Sequence, residues 1–301
     1  MLMAAWNGMP WIGEQIDSIL VQLNMEISLY ISVDPGTDGT EDYVFTRAQN
    51  DSRVNLLSTK ERFGCAAHNF YRLLRDVDIG GFDYISLADQ DDYWEPDKLY
   101  RACTALVQNK AVAYSGTVTA FWPNGREKKL KKAQRQRELD FLFEAAGPGC
   151  TYVFERDFAL ELQFFLQTNR PGMEQILAHD WFFYAFCRSR GHRWFIDTQS
   201  FVRYRQHAGN ELGANCGCSG VRRRIDMLCS GWYFNQIHHI AVMCNMRNSP
   251  VLEHVMSKNW RHRILAVNQI HKFRRRFRDR LLLALLILSG RLQSSPHEIK
   301  N

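Results

Sequence analysis

In the first third of the chain, short apolar runs at Ile27–Val33, Val54–Leu57 and Tyr84–Ala88 alternate with segments whose apolar residues recur at helical spacing. Ile16, Ile19, Leu20 and Leu23 share one face of a helix expected over Glu14–Leu23, and Phe70, Leu73 and Leu74 do so over Ala66–Arg75. That alternation is the signature of an α/β fold with a mostly parallel sheet flanked by helices. Pro96 suits a first helical turn, after which Leu99, Ala102, Cys103 and Leu106 carry a stripe to about Gln108. A strand is expected over Ala111–Ala120, another at Tyr152–Phe154, a helix opening at His179-Asp180-Trp181, and two short strands at Trp194–Asp197 and Phe201–Arg205. Beyond residue 216 strand signals fade, leaving a helical, basic C-terminal extension. The pattern divides the chain into 1–115, 116–215 and 216–301.

Polar loops follow the strands. Asn7-Gly8, Asp34–Thr40 and Asp89-Gln90-Asp91-Asp92 each sit where a strand reaches the surface. Ligands of open α/β sheets bind beyond the carboxyl ends of their strands, so these loops are expected to line one crevice. Asp38 and Glu41 have capping-box spacing for the helix after the second loop. In the third, alternation sends Asp89 and Asp91 to the same side, where two hard oxygen ligands suit Mg2+ or Mn2+. An acidic surface turn is the other reading of the same four residues. Trp6, Trp94 and Trp181 flank element ends and are expected in the core.

The net charge of +6 changes the picture only by its distribution. Basic residues gather in Arg126–Arg137, Arg222–Arg224 and Lys272–Arg280, while Asp83–Asp97 is acidic, which argues against a nucleic-acid coat. Arg126–Arg137 reads as a mobile loop or solvated helix, with attraction of a phosphorylated substrate as its functional alternative. Eight scattered cysteines, with Cys216-Gly-Cys218 the only close pair, fit a reducing compartment and give no zinc spacing. No apolar run approaches the ~20 residues that cross a bilayer. Leu281–Leu288 directly after the Lys272–Arg280 block reads either as a helix on an anionic membrane surface or as one packed on the body.

Four landmarks occur in order: Ala5-Trp6-Asn7-Gly8; Asp34 to Thr40; Asp89-Gln90-Asp91-Asp92-Tyr93-Trp94 with Pro96-Asp97-Lys98; and His179-Asp180-Trp181 followed by Tyr204-Arg205-Gln206-His207. Together they resemble the family 2 inverting glycosyltransferases of the GT-A fold, and more narrowly the bacterial rhamnosyltransferases of lipopolysaccharide core, O-antigen or related surface glycans. The resemblance covers about residues 1–215. It implies that Asn7, Asp34 and Asp89 bind a nucleotide-sugar donor, dTDP-L-rhamnose in the narrower reading. It implies that Asp91 holds the divalent metal against the diphosphate, that His207 completes both the metal site and the phosphate side of the donor site, and that Asp180 is the catalytic base. The acceptor it implies is a lipid-linked or lipopolysaccharide saccharide, met in the cytoplasm or on the inner face of the bacterial inner membrane.

The chain departs from the family pattern at Val33, where many relatives carry an acid, and at Pro35. Its opening strand is short, so a natural start further upstream and a frayed first strand are expected. Two other functions would use similar features. A nucleotidyltransferase would need a basic glycine loop near the first strand, and Ala5–Gly13 has no basic residue. A non-catalytic membrane-associated protein would leave the Asp180 and His207 segments without a task.

Overall fold

The computed structural model describes residues 1–57, 61–131, 133–207 and 230–290. The Cys216-Gly-Cys218 pair, Asn210 and Arg222–Arg224 lie outside them. The chain divides into two compact units, Met1–Ala133 with Ala146–Glu211, and Gln134–Ala145 with Leu212–Asn301.

The first unit holds β1 (Leu2–Ala5), α1 (Ile12–Leu20), β2 (Leu29–Val33), α2 (Thr40–Asn50), β3 (Val54–Leu57), α3 (Ala66–Asp76), β4 (Tyr84–Asp89) and β5 (Tyr93–Trp94). It continues with α4 (Lys98–Asn109), β6 (Ala113–Phe121), β7 (Glu127–Leu130), β8 (Val153–Glu155), α5 (Arg156–Thr168), α6 (Arg170–Met173), α7 (His179–Ser189) and β9 (Trp194–Arg205). Among the described residues the strands form one sheet in the order β3-β2-β1-β4-β8-β6-β9-β5, with β7 on β6.

The run β3-β2-β1-β4 is wholly parallel, as the α/β alternation predicts. Beyond β4 the sheet mixes directions: β8 is antiparallel to β4 and β6, whereas β9 runs parallel to β6. β1 does not fray. It is paired on both edges, and Leu2, Met3, Ala4 and Ala5 are all buried. α1 begins two residues before its expected start and lays Ile12, Ile16, Ile19 and Leu20 on the core, an i, i+4, i+7, i+8 stripe.

Three local expectations are corrected. Glu127–Leu130, placed in a mobile loop or solvated helix, is a strand antiparallel to β6; pairing on one edge satisfies its backbone while its charged side chains stay in water. The two short strands near residue 200 are one, β9, because register shifts opposite Ser115–Val118 absorb the irregularity between them. The helix over 40–50 has no side-chain cap: Gly39, at φ 86°, is its N-cap, and Asp38 accepts from Thr40 N at 3.0 Å. Trp94 and Trp181 are core, while Trp6 is 48% exposed.

The second unit is helical, with α8 (Trp232–Met243), α9 (Pro250–Met256), α10 (Trp260–Asn268) and α11 (Phe277–Ser289). Its buried anchor is Arg275, whose guanidinium lies 3.2 Å from the Glu144 carboxylate and 3.7 Å from that of Asp140. Phe273 stacks on Phe143 beside it, with ring centroids 4.6 Å apart. Among the described residues no helix is long and apolar enough to cross a membrane.

Candidate active site

The three loops at the carboxyl ends of β1, β2 and β4 are tied to one another. Asn7, at φ 47°, turns its side chain so that Oδ1 accepts from Thr37 N at 2.9 Å. A Cβ on Gly36 would fall 2.2 Å from that oxygen, so a larger residue there would push the Asn7 side chain off Thr37. Gly8 N donates to Thr40 Oγ1 at 2.8 Å and Met9 N to Asp38 Oδ2 at 3.0 Å. From the other side Gln90 clamps Trp6, accepting from its N at 2.6 Å and donating to its carbonyl at 2.7 Å. Asp34 is buried at the end of β2 and accepts from the backbone N–H groups of Phe63 and Gly64, at 2.6 and 2.8 Å. Its carboxylate therefore braces a fourth loop against the site.

The acidic turn is arranged differently from simple alternation. β4 ends at Asp89, Gln90-Asp91 form a turn, and the two-residue β5 follows, so the turn decides which carboxylates meet. Ligand atoms of Asp89, Asp92 and Cys150 all lie within 4.8 Å of one another. Asp91 instead meets His207: Oδ2 and Nε2 are 2.7 Å apart. The His207 ring lies on Trp11, with centroids 3.8 Å apart and planes at 22°. Arg205 locks the join, donating from Nε to the Asp91 carbonyl at 2.9 Å and from its backbone N to Asp92 Oδ1 at 3.3 Å, while its guanidinium reaches the Glu14 carboxylate.

Burial and neighbouring acids shift the protonation of Asp92. Burial, and then the Asp91 and Asp89 charges, push the Asp92 carboxyl well above the usual carboxylate range. Burial, and then the Asp92 and Asp89 carboxylates, push the Cys150 thiol up. Beneath them Lys98 is 2% exposed, donates to Ser86 Oγ at 2.8 Å and sits 3.4 Å from the centre of the Trp94 ring. Burial brings its amine down to about 7.

Asp180 lies in the first turn of α7, where the helix N-terminus favours an anion and Oδ1 accepts from Trp181 N at 2.7 Å. A short 3₁₀ turn, Gly149–Thr151, connects it with the acidic cluster. Cβ of a residue replacing Gly149 would stand 3.5 Å from Asp180 Cβ and 2.7 Å from His179 Nε2, and the next residue is Cys150. Adjacent residues thus touch the Asp180 segment and the Asp89–Asp92 pair. Tyr152 adds a strut, its hydroxyl donating to the Gly147 and Asp180 carbonyls at 3.0 and 3.2 Å. Neighbouring His179 is held neutral, burial bringing it down to about 3.

Asn7, Asp34, Asp89, Asp91 and His207 therefore belong to one set of interlocked loops at the strand ends, and Asp180 reaches it through Gly149-Cys150. Asp92, Cys150, Gln90, Trp11, Arg205 and Lys98 were not assigned site roles from the sequence. Asp92 and Gln90 stood inside the acidic motif. Arg205 stood inside the landmark that ends at His207 but was given no role of its own, and Trp11 carried no signal, because their partners are remote along the chain.

Residues 1–210 match the model of glycosyltransferase-like family 2. The chain belongs to that family. It is 37% identical over 290 residues to a dTDP-rhamnosyl transferase, RfbG, of Shigella flexneri, a match spanning 95% of this chain and 99% of the relative. It is also 26% identical over 113 residues to a teichuronic acid biosynthesis glycosyltransferase, TuaG, assigned to Bacillus subtilis as putative, across 38% of this chain and 43% of the other. Among solved structures, S. aureus TarS 1–349 in complex with UDP-GlcNAc superposes with a TM-score of 0.54 at 13% identity, over 97% of this chain and 88% of that one. The mannosyltransferase PcManGT of Pyrobaculum calidifontis, in complex with GDP-Man and Mn2+, gives 0.50 at 17% identity, over 97% and 86%. The fold of this glycosyltransferase is accordingly the GT-A type.

Proposed function

We propose that this glycosyltransferase moves an L-rhamnosyl group from dTDP-L-rhamnose to a hydroxyl of a lipid-linked or lipopolysaccharide saccharide, inverting the anomeric centre in a single displacement. Similarity to the Shigella rhamnosyl transferase along nearly the whole chain supports the donor. The observation that carries the chemistry is the meeting of the acidic turn, His207 and, through Gly149-Cys150, Asp180.

The donor set fits a hard divalent cation. Carboxylate oxygens dominate it, the Asp91 and Asp89 charges help push the Asp92 carboxyl up, and such crowding of negative charge is relieved by a cation of the Mg2+ or Mn2+ type. Asp91 and His207 would hold it, with Asp89 adjacent. Bound there, a divalent cation supplies electrostatic stabilisation to the departing diphosphate. Arg205 and Trp11 orient His207 and the Asp91 carboxylate before the donor arrives, so little reorganisation is needed during reaction. Asn7 and Asp34 shape the nucleotide side by holding the loops after β1 and β2.

Asp180 accepts the proton of the acceptor hydroxyl as that oxygen attacks the anomeric carbon, a contribution of about 10²–10⁴-fold. The helix N-terminus and Trp181 N–H favour its ionised form. The bond to the diphosphate breaks on the opposite face of the sugar, which is why one displacement inverts.

The test is a panel of nucleotide sugars offered to the purified protein, with nucleoside diphosphate release followed with and without chelator. Release from dTDP-L-rhamnose above the other donors, abolished by chelator and restored by Mn2+ or Mg2+, is expected. Full turnover after chelation would remove the cation, and a stronger response to another sugar would reassign the donor.

A further inference from the structure

Helix α11 is apolar on both sides. Leu283 and Ile287 are buried, yet Phe277, Leu281, Leu282, Leu285 and Leu288 are between 47% and 69% exposed. At ~100° per residue these five fall within an arc of about 140°, a continuous face rather than scattered positions. α10 packs against α11, with Arg263 reaching the Leu288 carbonyl at 3.5 Å, and it adds exposed Trp260 and Leu265. Leaving that much contiguous apolar surface in water is costly, so it marks a docking surface.

Charge decides the partner. Between residues 231 and 290 ten Lys and Arg stand against two acids, in a chain whose net charge is only +6. Arg276 and Arg278, at the start of α11, and Arg261, on α10, are all exposed, as are their neighbours Phe277 and Trp260. A second copy of this face would bring like charges together across a twofold interface. An anionic lipid surface offers the opposite sign. The 13 residues of α11 extend ~20 Å, short of the ~30 Å hydrocarbon core, which suits a helix lying along the interface.

We propose that the Phe277–Leu288 face docks the protein on an anionic lipid bilayer, with the leucines in the acyl boundary and Arg276 and Arg278 at the headgroups. Trp260 supplies an aromatic anchor at headgroup level. The surface lies wholly within the second unit and stands independently of which sugar is transferred.

The experiment is flotation of the full chain with phosphatidylcholine vesicles, with and without phosphatidylglycerol. Binding to the anionic vesicles alone, weakened by salt, is expected. Leu281→Ser with Leu285→Ser should lower it at least ~10-fold, and Arg276→Ser with Arg278→Ser about fivefold per arginine. Phe164→Ser, which removes an equally exposed ring from α5, should leave it unchanged. All variants sit at exposed positions and should melt as the parent does; turnover on a water-soluble acceptor should persist in the leucine pair. Failure of the parent chain to float with anionic vesicles would overturn the proposal without any variant. So would a dimer in sedimentation that the leucine pair dissociates while no vesicle is bound, which would assign the face to a second copy.

Discussion

His207 Nε2 lies 2.7 Å from Asp91 Oδ2 although 116 residues separate them. The contact exists because β9 runs parallel to β6 and antiparallel to β5, which brings the end of β9 alongside the acidic turn. Trp11 then closes over the imidazole from the start of α1. Loss of either partner should therefore be felt at the same place.

Asp91→Asn is expected to lower turnover by ~10²–10³-fold, and His207→Ala by ~10–100-fold. Diphosphate release across a Mn2+ titration measures both. A parental response to Mn2+ in Asp91→Asn would remove this carboxylate from the cation site.

Asp180→Asn keeps the size of the side chain and an oxygen for Trp181 N–H, but it cannot accept a proton at neutral pH. Turnover should fall ~10²–10⁴-fold while calorimetric donor affinity changes little. Parental turnover in this variant would place the base elsewhere.

Gly149→Ala places a methyl 2.7 Å from His179 Nε2, a buried atom with no hydrogen-bond partner among the described residues. The ring is packed against Phe70 at 4.4 Å and cannot retreat easily. A destabilisation of ~1–3 kcal/mol in urea is expected, with reduced turnover because the Asp180 segment moves with the ring. Parental stability and rate would mean that the turn is looser than its contacts imply.

Lys98 gives a pH signature. Its amine titrates at about 7 in the folded chain against an ordinary lysine value of 10.5. Below about 7 both folded and unfolded chains hold the proton, and the cost of burying the charge is fully present. Between there and 10.5 the unfolded chain binds more protons, so stability rises with pH. Urea unfolding of the parent relative to Lys98→Met should improve as pH rises from below 7 to 9, by at most ~1.4 kcal/mol per pH unit. A pH-independent difference would show that Lys98 stays charged.

Periodicity along the chain made β2, β3, β4, α3 and α4 legible to within a few residues, because apolar side chains report burial locally. The order of landmarks carried the family for a similar reason, since each motif lies at the end of one element. Glu127–Leu130 escaped this reading: its strand has exposed charged side chains, and only pairing with β6 makes it a strand. The Asp38 cap failed on one residue of backbone, Gly39 at φ 86°.

By itself, then, the amino-acid order determined the parallel α/β half, the candidate carboxylates and the basic helical end, all properties written in neighbouring residues. Tertiary structure decided which groups meet: Asp91 with His207, Asp89 with Asp92 and Cys150, Gly149 against His179, and Gln90 around Trp6. The reason is that a turn's direction and a sheet's crossing order depend on contacts between distant segments, and no window of sequence contains both partners.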